Sequence, residues 1–545
     1  MIERLPIQEL QERIGEKTLS RLEKIVHFIP NSGIQHPNDI YDKKNLLKIF
    51  LSFSGQDIFY TESFRNKLLS RLSDTEIRNL AKRLGLNSQV SFKEIVETIS
   101  KIPWTNNSET KIIVDFFKLP PNYIPSPKES IPNIEHITKP DVPFKPLKDF
   151  QIAVFEQSLA KMDNPLQRFL IQMPTGSGKT RTAMEVICSH LNRNPGKSVI
   201  WLANSEELCE QAIECYKDVW SHVGQFDVDI IRAWGSNDLK VPIRSSFIVG
   251  GFSKLHSIFK RKPELIPIIS KQLVLMVVDE AHQVIAPTYK NVVDRLQEGN
   301  YVAHFIGLTA TPGRGNITNE GTNLLIQYFA GNKIEIDSGD KTVFEYLRRK
   351  KILAHIEKDP LFTNRSYDLT DKERQYIRTH FDFPMEFVEK ISSDDVRNIE
   401  IINKLKRECE MNKKIILFAG SVDQSKFICA TLNFLGFRAE HLDGSTKRDR
   451  RRNLIKEFKD GDLNIICNFG VLTTGFDAPK TDVIFIARPT MSVVLYSQMV
   501  GRGLRGPAIG GKEKCKLIDV IDNLEVYKSP DNVYDYFTEY WEQNE

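Results

Sequence analysis

Nine short apolar runs, none with polar alternation, constrain this chain more than any other feature. A strand covered by helices on both faces reads as a continuous hydrophobic run, and that is the pattern of parallel sheets. Five runs come first: Phe169–Ile171, Ser198–Leu202, Ser246–Val249, Leu273–Val278 and Phe305–Leu308. Four follow after a long gap: Lys414–Ala419, Asn464–Cys467, Val483–Ile486 and Lys516–Val520. Helical periodicity fills the intervals. The expected fold is α/β, with two parallel-sheet domains in tandem. At 545 residues the chain has room for three or four domains.

The remaining segments read differently. In residues 1–118, Ser73 with Glu76 and Ser91 with Glu94 fit the capping box, in which serine accepts from the amide three residues on and glutamate reaches back. Ile77, Leu80, Ala81 and Leu84 then recur at helical spacing before Gly85. This predicts a small all-helical domain, either a docking module for a protein partner or a structural cap. Residues 119–146 hold eight prolines in 28 positions and predict an extended tether. The further expectations are a first sheet domain over 147–335, a connector over 336–410, a second sheet domain over 411–527 and an aromatic, acidic tail over 528–545.

Hydrophobic residues make up 41% and charged residues 27%, which suits a globular chain. The net charge is only +4, so a nucleic-acid partner has to be met by local basic patches. The seven cysteines form no Cys-x-x-Cys pair, which argues against a zinc module or a disulfide framework and for a reducing compartment. Neither a signal peptide nor a membrane-spanning run is present, so the expected location is cytoplasmic.

The chemistry lies where strands end. Met173-Pro174-Thr175-Gly176-Ser177-Gly178-Lys179-Thr180 is a phosphate-binding loop with Met173 at the position of the usual first glycine. Gly176 and Gly178 let backbone amides turn toward phosphates, with Thr175 and Ser177 completing the cradle. Lys179 offers a point charge to the β- and γ-phosphates of ATP, and Thr180 a hydroxyl to Mg²⁺. Carboxylates at the end of a buried strand are costly unless they meet a cation or a reactant. Asp279 is therefore the expected magnesium ligand, and Glu280 the residue that orients or deprotonates the attacking water. His282 is expected at the γ-phosphate shell or the partner domain. Thr309 and Thr311 are placed to couple the acidic motif to the far domain. Thr473 and Thr474 suit a nucleic-acid phosphate, and Asp477 a ribose or an arginine. Gln498, Arg502 and Arg505 form the last block, the two arginines three apart on one expected helical turn. Arginine stays charged and pairs phosphate oxygens bidentately, so a finger from a second domain acts only when the cleft closes. Lys179 and Arg505 are 326 residues apart, which makes this a split ATPase site.

In this order the blocks resemble the motor of superfamily-two helicases of the Asp-Glu-x-His type. The resemblance covers about 147–525. Leu147-Lys148-Asp149-Phe150-Gln151 is similar to the entry motif, which implies that Gln151 reads adenine. Asn204–Gln211 and Gly250–Leu255 are similar to strand-tracking motifs of the first motor domain, and Phe418–Ser421 to their counterpart in the second. Val471–Arg505 is similar to RadD-like helicases and to restriction-enzyme motor subunits, though the chain lacks the cysteine-rich C-terminal region expected of the former. The implied fold is two RecA-like domains. The implied function is an ATP-dependent helicase or translocase on nucleic acid, with single-stranded DNA favoured. Two alternatives stand beside it: a motor or ATP switch within a restriction, anti-phage or repair assembly, and an RNA helicase. The basic runs Lys447–Arg452 and Arg348–Lys351 read as solvated faces in preference to phosphate contacts.

Overall fold

The computed structural model describes residues 2–29, 37–54, 56–119, 123–125, 132–138, 145–298, 303–311, 320–363, 365–380, 382–473 and 480–522. It contains two parallel sheets. The first has eight strands: β1 (Ile134–Ile137), β2 (Arg168–Gln172), β3 (Ser198–Ala203), β4 (Val228–Ala233), β5 (Ser246–Gly251), β6 (Leu273–Asp279), β7 (His304–Thr309) and β8 (Lys333–Glu335). Their order is β1-β4-β5-β3-β6-β7-β2-β8, and the β1–β4 pair alone is antiparallel. Every residue of β3, β6 and β7 is buried, as the unbroken apolar runs require.

Three of these strands, β1, β4 and β8, are not visible as apolar runs. β4 carries Asp229 and Arg232, which break its hydrophobic pattern although both are buried. Their partners come from the proline-rich tether. Glu135 of β1 lies 2.6 Å from Arg232, and His136 Nδ1 lies 2.9 Å from Asp229. The tether is thus more than a spacer: part of it is an edge strand supplying the charges that make β4 tolerable inside a sheet.

The second sheet has seven strands: β9 (His355–Lys358), β10 (Leu361–Phe362), β11 (Ile415–Phe418), β12 (Ala439–Leu442), β13 (Ile465–Asn468), β14 (Val483–Ile486) and β15 (Lys514–Ile521). The order is β10-β15-β14-β11-β13-β12, with β9 also on β15, and all pairs are parallel. The expected connector is therefore largely part of the second lobe. It contributes β9, β10 and the helix Asp395–Glu410, whose Ile401, Ile402 and Leu405 enter the core. Strands of two and four residues with exposed positions leave too little pattern to read in sequence.

The N-terminal helices form as expected, and both capping boxes are made. The sequence leaves open what they pack on. One continuous apolar core joins Leu46, Phe50 and Phe64 to Ile401, Leu405, Phe427 and Ile428 of the second lobe. Helix Lys43–Ser54 runs against helix Val422–Phe434. Arg21 pairs with Asp395 and lies 4.2 Å over the Phe427 ring. Residues 523–545, with the aromatic tail, lie outside the described residues. Among the described residues, no helix is long and apolar enough to cross a membrane.

Candidate active site

β2 runs directly into the glycine-rich loop. The Met173 amide donates to Thr309 O at 3.1 Å, which ties the loop to the end of β7. Met173 is fully buried, so the position serves as core and needs no glycine. Gly176 and Gly178 have φ of 86° and 90°, a region that side chains disfavour. Gly178 also faces Gln151: an added Cβ would lie 2.2 Å from its Nε2. Gln151 donates to Ser177 O at 3.2 Å and accepts from the Lys148 amide at 2.9 Å. The helix Lys179–Arg193 starts at once, turning its first amides toward the loop.

β6 ends at Asp279. Its Oδ1 lies 3.7 Å from Lys179 Nζ, and Glu280 Oε1 lies 3.9 Å from the same nitrogen. Glu280 has φ 50° and ψ 52°, left-handed geometry that costs a non-glycine residue of order 1–3 kcal/mol. That backbone twist turns two adjacent carboxylates toward one lysine. Burial pushes the Asp279 carboxyl above its usual range, against the pull of Lys179. Burial also opposes ionisation of Glu280, but Lys179, His282 and Arg502 outweigh it and hold that carboxyl below its usual range. The pair is thus differentiated, one acid short of positive charge and one well supplied. A cation fits beside Asp279, because burial opposes the charge of this carboxylate and Lys179 at 3.7 Å only partly offsets it. No trio of His, Cys, Asp or Glu gathers for a metal among the described residues. An ion sharing its shell with phosphate and water does not require one.

His282 Nδ1 lies 3.3 Å from Thr309 Oγ1 and 3.4 Å from Glu280 Oε2. The Thr309 hydroxyl donates to Thr311 O at 2.9 Å and accepts from the Thr311 amide at 3.0 Å. These described contacts of His282 lie within the first lobe, where a contact to the far domain was one expectation. Asn204 of the strand-tracking motif donates to Gln283 Oε1 at 2.8 Å, a link to the acidic motif that sequence reasoning missed.

The second lobe brings its arginines to the same loop. Helix Val493–Val500 passes into a 3-10 turn, Gly501–Gly503, and Arg505 then bridges Leu353. Arg502 and Arg505 therefore do not share one regular helical turn. The turn is packed closely on β15, where a Cβ on Gly503 would lie 2.4 Å from Cys515 Sγ. Arg502 Nε donates to Gln498 O at 3.2 Å, and its charge reaches Glu280. Arg505 lies alongside Gly176, and Gly501 lies against Thr175. Segment 351–354 braces this block: Gly506 donates to Ile352 O and Ala354 to Leu504 O, both at 2.8 Å. Thr473 is half-buried on the turn after β13, while Thr474 and Asp477 lie outside the described residues.

Residues of both basic runs make contacts within the molecule, while Arg349, Lys350, Lys351, Lys447 and Arg452 stay exposed, as a solvated face requires. Lys447 Nζ sits 3.2 Å from the Tyr60 ring centroid of the N-terminal helices. Arg450 pairs with Glu440 at 3.1 Å, and Arg451 pairs with Glu207 of the first lobe. Lys350 pairs with Asp149 at 2.9 Å.

The family described as type III restriction enzyme, res subunit, matches residues 144–314, and the helicase conserved C-terminal domain matches 397–506. The 51.5 kDa protein of Lactococcus phage (isolate 7-9) is 25% identical over 69% of this chain and 71% of its own length. IRC3 of Saccharomyces cerevisiae, whose name assigns it to the ATP-dependent helicases, is 26% identical over 69% of this chain. The chain spans 51% of that relative. The solved structure of the ATP-dependent type ISP restriction-modification enzyme LlaBIII bound to DNA shares the fold with a TM-score of 0.51. It is 15% identical and aligns over 74% of this chain and 30% of that one.

Proposed function

Because the chain belongs to the superfamily-two helicases of the restriction-enzyme and DEAD-like type, we propose that it couples ATP hydrolysis to movement along single-stranded DNA. One observation carries this reading: Lys179, Asp279 and Glu280 of the first lobe face the arginine turn of the second, with Gly501 against Thr175 and Arg505 beside Gly176. Gln151 meets the base of ATP in this reading, which its packing on the loop supports. Gly176, Gly178 and the first amides of the helix hold the phosphates, and Lys179 turns from the carboxylates to the γ-phosphate. Thr180 and Asp279 would hold magnesium, which supplies charge neutralisation between phosphates. Glu280, kept ionised, takes the proton of the attacking water. Arg502 and Arg505 arrive from the other lobe and stabilise charge at the transferring phosphoryl group, so hydrolysis follows closure. Thr309 and Thr311, joined to Glu280 through His282, pass the state of the site to the rest of the lobe.

DNA is favoured over RNA because the restriction-enzyme family matches the first lobe and the solved relative is bound to DNA. The res-subunit match also supports a second reading, a motor within a larger restriction or repair assembly that meets a protein partner through its N-terminal helices. ATPase assays with single-stranded DNA, duplex DNA, forked DNA and RNA test the main reading. Single-stranded DNA is expected to stimulate turnover at least tenfold, and stimulation by RNA alone would overturn the DNA assignment. Lys179→Ala should abolish nucleotide binding, whereas Glu280→Gln should bind ATP and lose turnover by about a thousandfold. Wild-type turnover in Glu280→Gln would remove Glu280 from its role.

A further inference from the structure

Arg488 follows β14 by two residues, within the stretch Val471–Arg505, and none of the roles expected for that stretch falls on it. Its guanidinium lies 3.8 Å from Met385 Sδ and 5.7 Å from the centroid of the Phe469 ring. Its Nε is buried and has no hydrogen-bond partner. The nearby carboxylate, Asp382, is already engaged: its Oδ1 accepts from Thr490 Oγ1 at 2.9 Å, from the Met491 amide at 2.8 Å and from the Phe383 amide at 3.0 Å. Burial lowers the pKa of Arg488 in spite of Asp382, yet arginine cannot give up its proton in a protein. A half-sunk guanidinium whose nearest carboxylate is hydrogen-bonded elsewhere is costly, and the cost is recovered when a second anion pairs with it.

The surroundings indicate which anion. Phe469 opens the loop that leads to Thr473, directly after β13. Helix Met385–Ser392 is packed on the Phe418–Ser421 loop so tightly that a Cβ on Gly420 would lie 2.2 Å from Ser392 Oγ. Arg488 therefore lies between the two loops of the second lobe that follow β11 and β13. An aromatic face, a thioether and a fixed guanidinium side by side suit a nucleotide chain, whose phosphate pairs with the fork and whose bases meet apolar surface.

We propose that Arg488, backed by Phe469 and Met385, is a phosphate contact for single-stranded nucleic acid on the second lobe. This deepens the helicase reading and rests on it. The test is fluorescence anisotropy of a labelled oligothymidylate with the full chain, titrated over a range of salt with a non-hydrolysable ATP analogue present. Arg488→Ala should weaken binding about fivefold or more and flatten the slope of log K against log salt by about 0.7, one phosphate's share for a single strand. Arg488→Lys keeps the charge and should keep the slope while losing part of the affinity. If Arg488→Ala fails to fold, Arg488→Gln preserves the stem packing and carries the same expectation as the alanine variant. Wild-type affinity and slope in these variants would overturn the contact alone. A wild-type chain that binds no oligonucleotide at all would overturn the helicase reading with it.

Discussion

Gly501 shows what a single residue carries in this molecule. Its φ of −55° and ψ of −22° are open to any amino acid, so conformation does not demand glycine there. Its neighbour does: a Cβ would lie 2.7 Å from Thr175 Cγ2 and 2.9 Å from Thr175 Cβ, on the opposite lobe. Gly501→Val is therefore expected to hold the lobes apart. Nucleotide affinity, read by fluorescence titration, should stay within about threefold, while ATP turnover falls at least tenfold. Equal turnover would show that this contact plays no part in hydrolysis. That Lys179, Asp279 and Glu280 would meet was legible in sequence, the lysine from the glycine-rich loop before it and the carboxylates from their charge at the end of a buried strand. The left-handed backbone at Glu280 and the contact of Gly501 with Thr175 were not legible, since neither leaves a mark in residue type or period.

At the level of elements, β15 and the helix Val493–Val500, which leads into the arginine turn, are joined by a hydrogen bond from Tyr496 OH to Asp519 Oδ2 at 3.0 Å. Burial raises the Asp519 carboxyl from 3.8 to about 6, outweighing the Tyr496 bond. The folded chain thus holds this proton more tightly than the unfolded chain. Stability from this group is full below about pH 4 and is lost as pH rises toward about 6, by roughly 2–3 kcal/mol at most. Asp519→Asn should raise the Tm at pH 7.5 and flatten the pH dependence between those values; thermal unfolding across pH checks it, and an unchanged profile would count against it. The long buried strands were legible from apolar runs, whereas β4 was hidden by Asp229 and Arg232. Their partners Glu135 and His136 lie almost a hundred residues earlier, and a local pattern holds no trace of such pairing.

Across the whole molecule, the N-terminal helices and the second lobe are built on one core. Removing residues 1–118 would uncover Ile402, Leu405, Phe427 and Ile428, a loss that no surface charge offsets. The truncated chain is expected to bind a hydrophobic dye and to unfold at least 5 °C lower, or to precipitate; a soluble product with unchanged melting would contradict the shared core. The helix Arg448–Asp460 sits at the meeting point of the three bodies, with Lys447 before it on Tyr60 and Arg451 reaching Glu207. The amino-acid sequence by itself determined the two parallel sheets, the glycine-rich loop and the acidic pair, because burial on both faces and phosphate chemistry each restrict residue type locally. Tertiary structure alone decided which lobe the N-terminal helices join, how the tether completes β4 and where the arginines meet the loop. Those outcomes depend on shape and charge matching between segments far apart in the chain, and such matching is settled only when the surfaces come together.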